Sequence, residues 1–191
     1  MVFAPTNIRR RVFDSVIFTG TETTGCIRFS VFVNCILKVL HKTNYKMKIA
    51  IGNDHAGTEL KKEIRTFLEE MGHEVINFGT DSNESVDYPD YVYPVTNCVQ
   101  NNEVESAILI CGSAQGVAIA ANKYPNIRAA VCWETEIASL ARKHNNANVL
   151  CLPARFISEK KANSIVLIFL QTEFEGGRHQ KRIEKIASCC S

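Results

Sequence analysis

The chain has no stretch of about 20 predominantly apolar residues, the length a membrane-spanning helix needs, so a polytopic membrane protein is excluded. Its ten glycines and five prolines among 191 residues are too few for a collagen-like fibre. Charge of either sign is not in excess: 22 Lys and Arg stand against 20 Asp and Glu, and 46% of residues are hydrophobic. A disordered chain is therefore excluded as well. No Cys-x-x-Cys occurs, and no Cys and His have zinc-finger spacing. The Gly-Lys-Ser/Thr ending of a P-loop and the G-x-G-x-x-G of a dinucleotide site are both missing. What remains is a globular chain with room for one domain of ordinary size and a shorter appendage.

The eight cysteines do not read as a disulfide framework. Cys98, Cys111, Cys132 and Cys151 fall in or beside apolar runs, as buried thiols do, and Cys189-Cys190 end a polar tail. A reducing compartment follows, and the expected location is the cytoplasm. The small net charge of +2 conceals a division at Met47. Residues 1–46 hold seven Lys and Arg against two acids, while residues 47–191 hold fifteen against eighteen. The first segment has Arg9-Arg10-Arg11 and the run CIRFSVFVNCILKVL, which Arg28, Asn34 and Lys38 interrupt. It has neither the layout of a secretory signal nor a small-residue cleavage site. It is read as a non-catalytic extension with the working start at Met47, a transit peptide being the other reading.

From Met47 onward, strand and helix patterns alternate. Strands are expected at Met47–Gly52, Glu74–Phe78, Ser106–Cys111, Ile127–Cys132 and Asn148–Leu152. Leu60, Ile64, Phe67, Leu68 and Met71 recur at helical spacing and stop at Gly72. Further helices are expected at 90–101 with Pro94 in the first turn, at Gly116–Lys123, Glu134–His144 and Ser158–Gln171, and from Arg178 onward. Near-continuous apolar strands separated by helices describe an α/β fold. The expectation is a Rossmann-like three-layer sandwich with a five-stranded parallel sheet covered on both faces. Ligands in such folds bind beyond the carboxyl ends of the strands.

Four segments expected at that edge carry chemistry. Asn53-Asp54-His55-Ala56-Gly57 follows the first strand, and Cys111-Gly112-Ser113-Ala114-Gln115-Gly116 joins the third strand to a helix. A small-residue loop entering a helix aims backbone N–H groups at one point, which suits an anion or oxyanion. Cys111 at its edge reads either as a thiolate favoured by those dipoles or as a buried strand cysteine. His144 ends a helix in Arg142–Asn148, a place where histidine ordinarily caps or faces solvent. Arg178 and Arg182 stand at i and i+4 on one helix face, as a phosphate clamp or a solvated basic face. A core segment of net charge −3 without interleaved aromatic and basic residues excludes nucleic acid as the anion.

MKIAIGNDHAG, SAILICGSAQGVAIAANKYPNIRAAVC, ARKHNNANVLCL and FEGGRHQKRIEKI, in this order, closely resemble the type B ribose-5-phosphate isomerases, a family related to galactose-6-phosphate isomerase subunits. The resemblance spans Met47 to about Ile186. It implies metal-free and cofactor-free interconversion of ribose 5-phosphate and ribulose 5-phosphate, a step of the pentose phosphate pathway, through an enediolate. It also implies roles: Cys111 as the base, His144 assisting ring opening, and Asp54, His55 and Asn145 contacting substrate. The loop Gly112, Ser113, Ala114, Gln115 and Gly116 would cradle the oxyanion, and Arg155, Arg178 and Arg182 the phosphate. A homodimer or dimer of dimers, with sites completed across the interface, is implied too.

One departure stands out. The family loop is usually Cys-Gly-Thr-Gly-x-Gly, and Ala114 here replaces a glycine, which a positive φ would strain. Two other readings therefore stay open: a non-catalytic phosphosugar-binding protein, and an isomerase of six-carbon sugars such as allose or galactose 6-phosphate.

Overall fold

The computed structural model describes residues 46–188, so the extension expected over residues 1–46 lies, apart from Lys46, outside the described residues. Five strands form one all-parallel sheet: β1 (Lys48–Asn53), β2 (Glu74–Asn77), β3 (Ser106–Cys111), β4 (Ala129–Val131) and β5 (Val149–Pro153). Their spatial order is β2-β1-β3-β5-β4. Six helices connect and follow them: α1 (Thr58–Glu70), α2 (Tyr88–Gln100), α3 (Gln115–Ala121), α4 (Thr135–Asn145), α5 (Glu159–Gln171) and α6 (Arg178–Ser188).

The period-two alternation of β3 decides the layering. Ile108 and Ile110 point to one face, where Leu60, Ile64 and Leu68 of α1, Ala138 and Ala141 of α4, and Ile165, Val166 and Phe169 of α5 are buried. Ala107, Leu109 and Cys111 point to the other, against Val92, Val95 and Val99 of α2 and Val117, Ala118 and Ala121 of α3. Because β3 is buried on both sides, its sequence SAILIC is apolar almost throughout. The three-layer α/β sandwich expected from the sequence is thus present.

The helical stripe read from Leu60 to Met71 is α1, which closes as a Schellman turn: His73 N–H donates to the Leu68 carbonyl at 3.0 Å and Gly72 N–H to that of Glu69 at 3.0 Å. Ser158 caps α5 by accepting the Lys161 N–H. One helix starts earlier than expected. Pro89 occupies the first turn of α2, so Pro94 is interior and not in the first turn. The carbonyl that Pro94 leaves without its helical N–H partner belongs to Asp90, an exposed residue. Among the described residues, no helix is long and apolar enough to cross a membrane.

Candidate active site

The turn after β1 and the turn after β3 meet at the carboxyl edge of the sheet. Asp54 N–H donates to the Ile110 carbonyl at 3.1 Å, bringing the Asp54-His55 corner beside Cys111. Asp54 is buried, and its carboxylate accepts the Ala56 N–H at 2.9 Å, which shapes a single 3-10 turn over His55–Gly57. His55 Nδ1 accepts the Val86 N–H at 3.4 Å, so the long segment before α2 closes on the same corner. A second tether lies beneath: Lys61, 1% exposed, places its ammonium 2.6 Å from the Thr80 carbonyl and 2.6 Å from Asp81. That ammonium, by hydrogen bond and charge, holds the Asp81 carboxyl below its ordinary pKa.

The loop after β3 has the backbone that its sequence put in question. Ala114 caps α3 with φ 62° and ψ −6°, in the left-handed region, and is fully buried. An L-residue there costs about 1–2 kcal/mol. The bend turns the Ala114 N–H back onto Cys111 Sγ at 3.1 Å. Burial pushes the Cys132 thiol up to about 12, and raises Cys98 and, further, Cys151 above the ordinary thiol value.

Two further groups border the loop. Arg155 donates its backbone N–H to the Gly112 carbonyl at 3.1 Å, and its guanidinium lies over Gly112, where an added Cβ would sit 3.2 Å from Nε. Tyr88 packs on Gly116 so closely that a Cβ there would be 2.7 Å from the ring. Tyr88 was not singled out from the sequence. Its signal was position: it opens the helix that follows the long segment after β2.

The remaining expected residues are elsewhere. A helix that follows a parallel strand runs back across the sheet, so the end of α4 lies at the amino edge. Asn148 N–H donates there to the Arg128 carbonyl, and the Asn148 carbonyl accepts from Ala107 at the start of β3. His144 and Asn145 belong to this edge, as do Glu175, whose N–H donates to the Lys143 carbonyl at 3.1 Å, and the adjoining Arg178 and Arg182. The expectation of four segments at the carboxyl edge is therefore corrected: two are there and two are at the opposite edge. Connectivity is the reason, since both of the latter follow helices and neither follows a strand. With about 3.3 Å per residue over β3, the edges stand about 17 Å apart.

At the amino edge, the His144 and His179 rings stack at 4.3 Å with 5° between planes. Glu175 faces both, its carboxylate oxygen 3.8 Å from His144 Nε2 and 3.9 Å from His179 Nε2. Burial, with the charges of His144, Arg178 and Arg182, lowers the pKa of His179. The sequence reading passed over Glu175 and His179 as catalytic or ligand groups, although their i, i+4 spacing was visible.

This layout is matched by known proteins. The model of the ribose/galactose isomerase family fits residues 49–186. The chain belongs to this family. Ribose-5-phosphate isomerase B of Escherichia coli is 48% identical over 141 residues, 74% of this chain and 95% of that protein. Probable ribose-5-phosphate isomerase B of Mycoplasma pneumoniae is 45% identical over 72% of this chain and 91% of its own length. The crystal structure of a ribose 5-phosphate isomerase from Thermotoga maritima superposes with a TM-score of 0.74 at 50% identity, covering 75% of this chain and 99% of that one. For a ribose/galactose isomerase, the parallel sheet is the expected frame, and the covered span coincides with the segment from Met47.

Proposed function

We propose that the protein is an aldose–ketose isomerase that interconverts ribose 5-phosphate and ribulose 5-phosphate, with residues 47–191 as the working unit. The observation that carries this reading is the Ala114 N–H held 3.1 Å from Cys111 Sγ, at the mouth of a loop that opens into a helix. In the open-chain aldose, the Cys111 thiolate takes the proton from C2, and the electron pair moves through C1 onto the carbonyl oxygen, forming an enediolate. The C2 hydroxyl proton passes to the O1 oxyanion and the proton on sulfur returns to C1, leaving a hydroxyl at C1 and a ketone at C2. Loop N–H groups from Gly112 to Gly116 face the developing oxyanion, where each well-placed donor contributes about 2.7–4 kcal/mol. His144 moves a proton at the ring oxygen to open the furanose, with Asn145 beside it. Arg155, Arg178 and Arg182 hold the phosphate, which does not react but fixes C1 and C2 against the sulfur.

Cys111 and His144 cannot serve one sugar from opposite edges of one sheet. The active unit is accordingly a homodimer or dimer of dimers, with Asp54, His55, Cys111, the loop and Arg155 from one protomer and His144, Asn145, Arg178 and Arg182 from its partner. Large apolar groups left exposed at the Cys111 edge, Tyr88 at 37%, Trp133 at 48% and Phe156 at 74%, favour such a contact. A Cys111→Ala variant tests the chemistry. Turnover is expected to fall by ~10²–10⁴-fold, while ribose 5-phosphate still binds in a calorimetric titration. Wild-type protein that binds the sugar without converting any five- or six-carbon phosphosugar would make it a binding protein instead.

A further inference from the structure

His144, Glu175 and His179 are the one group of three potential metal-ligating side chains that converge among the described residues, with their ligand atoms all within 4.8 Å of one another. The carboxylate oxygen stands 3.8 and 3.9 Å from the two imidazole nitrogens, too far for hydrogen bonds. Ligands at about 2.0–2.1 Å from a tetrahedral zinc ion are about 3.3 Å apart. A contraction of about half an ångström toward each nitrogen, with the exposed His144 ring turned out of its parallel stack so that both Nε2 lone pairs converge, gives a two-histidine, one-carboxylate site with an open fourth position. The parts that must move are free to do so, since the side chains of His144 and Glu175 are 38% and 50% exposed. The part that must stay is fixed: His179 is 5% exposed and donates its N–H to the Gly176 carbonyl at 3.1 Å. Gly176 and Gly177 both have positive φ, at 66° and 56°, and this turn folds Glu175 back over the His179 ring.

We infer that His144, Glu175 and His179 form a site for a divalent transition-metal cation such as zinc, whose occupancy withdraws His144 from the sugar. The chemistry of the donors, two imidazoles and a carboxylate, selects zinc, cobalt or nickel over calcium or magnesium. Two contacts oppose the ion and set its affinity. Arg178 Nε lies 3.4 Å from His179 Nε2 and must turn away, and Arg182 is the second cation nearby. Binding on the order of micromolar, not nanomolar, is the expectation. The site thus acts as an inhibitory one, occupied when free metal rises. Its existence is independent of the isomerase reading, and only the inhibition rests on it.

The test is calorimetric titration of the metal-free full chain with zinc chloride, repeated with cobalt chloride under visible absorption, alongside initial rates with ribose 5-phosphate. One zinc per chain is expected, weakened at least about tenfold in Glu175→Gln and in His179→Gln, a loss that even an outer partner of a metal site can cause. The cobalt spectrum should have tetrahedral intensity and no thiolate charge-transfer band. Turnover should fall with zinc occupancy and return with chelator. Zinc binding that survives both substitutions, a thiolate band, or absence of a one-equivalent isotherm would each overturn the site, and full turnover at saturating zinc would overturn the inhibition. If zinc binds as expected and no phosphosugar is isomerised, the site stands and the isomerase reading falls. Turnover without zinc binding gives the reverse result.

Discussion

Mixing two inactive variants should restore activity. Cys111→Ala disables the carboxyl edge of the sheet, and His144→Asn disables the amino edge. The edges are about 17 Å apart along β3, whereas proton transfer needs heavy atoms roughly 3 Å apart. One chain cannot bridge that distance, so in the proposed homodimer each site combines the carboxyl edge of one protomer with the amino edge of the other. In a mixed dimer, one site then receives both substitutions and the other receives neither. Random exchange of a 1:1 mixture makes about half of the dimers mixed, each with one intact site of two, so about a quarter of the wild-type activity returns. The assay is the rate of ribulose 5-phosphate formation after co-refolding or slow subunit exchange, with each variant alone as baseline. Since each alone is expected to be down at least ~10²-fold, a return to a quarter is unmistakable. No recovery, in a mixture proved by mass spectrometry to contain mixed dimers, would refute the split site.

Four further outcomes are expected. Ala114→Gly relieves about 1–2 kcal/mol of left-handed strain but gives up about 0.8 kcal/mol of methyl burial and 0.4–1 kcal/mol through the freer unfolded chain; denaturant unfolding should stay within about 1 kcal/mol of wild type, while Ala114→Val, β-branched at positive φ, should be plainly destabilised. Asp81 has its folded pKa depressed by Lys61, so its stabilisation is complete above the ordinary aspartate value of about 3.9 and disappears as pH falls through the lower folded value; the wild-type advantage over Asp81→Asn, about 1 kcal/mol or less for so exposed a carboxylate, should vanish in that window, and persistence below it would contradict the pairing. Alkylation of the native protein at neutral pH should label Cys111 in step with lost turnover and spare Cys132 and Cys151, whose thiols burial has pushed up; peptide mapping decides. Ribose 5-phosphate should exceed allose or galactose 6-phosphate in kcat/KM by ~10-fold or more, the usual return on one carbon of fit, and a reversed order would make this a six-carbon isomerase.

The sheet was legible because its period is short and its burial complete. SAILIC can only be a strand buried on both faces, and the helical stripe from Leu60 to Met71 names the face that α1 presents. The Cys111 loop was legible for the same reason, since a strand, a run of small residues and a helix in succession leave few geometries. The end of α2 that was misplaced depended on which of two prolines opens the helix, and nothing local distinguishes Pro89 from Pro94. The Ala114 conformation was foreseen only as a condition, because sequence gives the residue and not its φ. That His144 and Cys111 lie at opposite edges was not legible in local pattern, although the family resemblance implied sites completed across an interface. His144 and Cys111 are both next to strands in sequence, and only the direction of α4, running back under the sheet, separates them.

Under the proposed split site, that separation also accounts for how a segment of net charge −3 would bind a phosphate. Each edge alone presents an incomplete set: Arg155 and His55 with the loop N–H groups at one, Arg178 and Arg182 with two stacked histidines at the other. Gathered on one edge of one chain, the three guanidinium groups would repel one another with no anion present, at a cost that every folded monomer bears. Spread over two edges, the repulsion arises only on assembly, where a bound phosphate can offset it. The same arrangement leaves the His144 edge exposed in any unassembled chain, with its imidazoles and Glu175 open to a metal ion. Substrate and zinc are then expected to oppose each other, because the sugar needs His144 free and the metal needs it bound. Raising ribose 5-phosphate at fixed zinc should restore turnover in proportion, and inhibition indifferent to sugar concentration would break the link between the two.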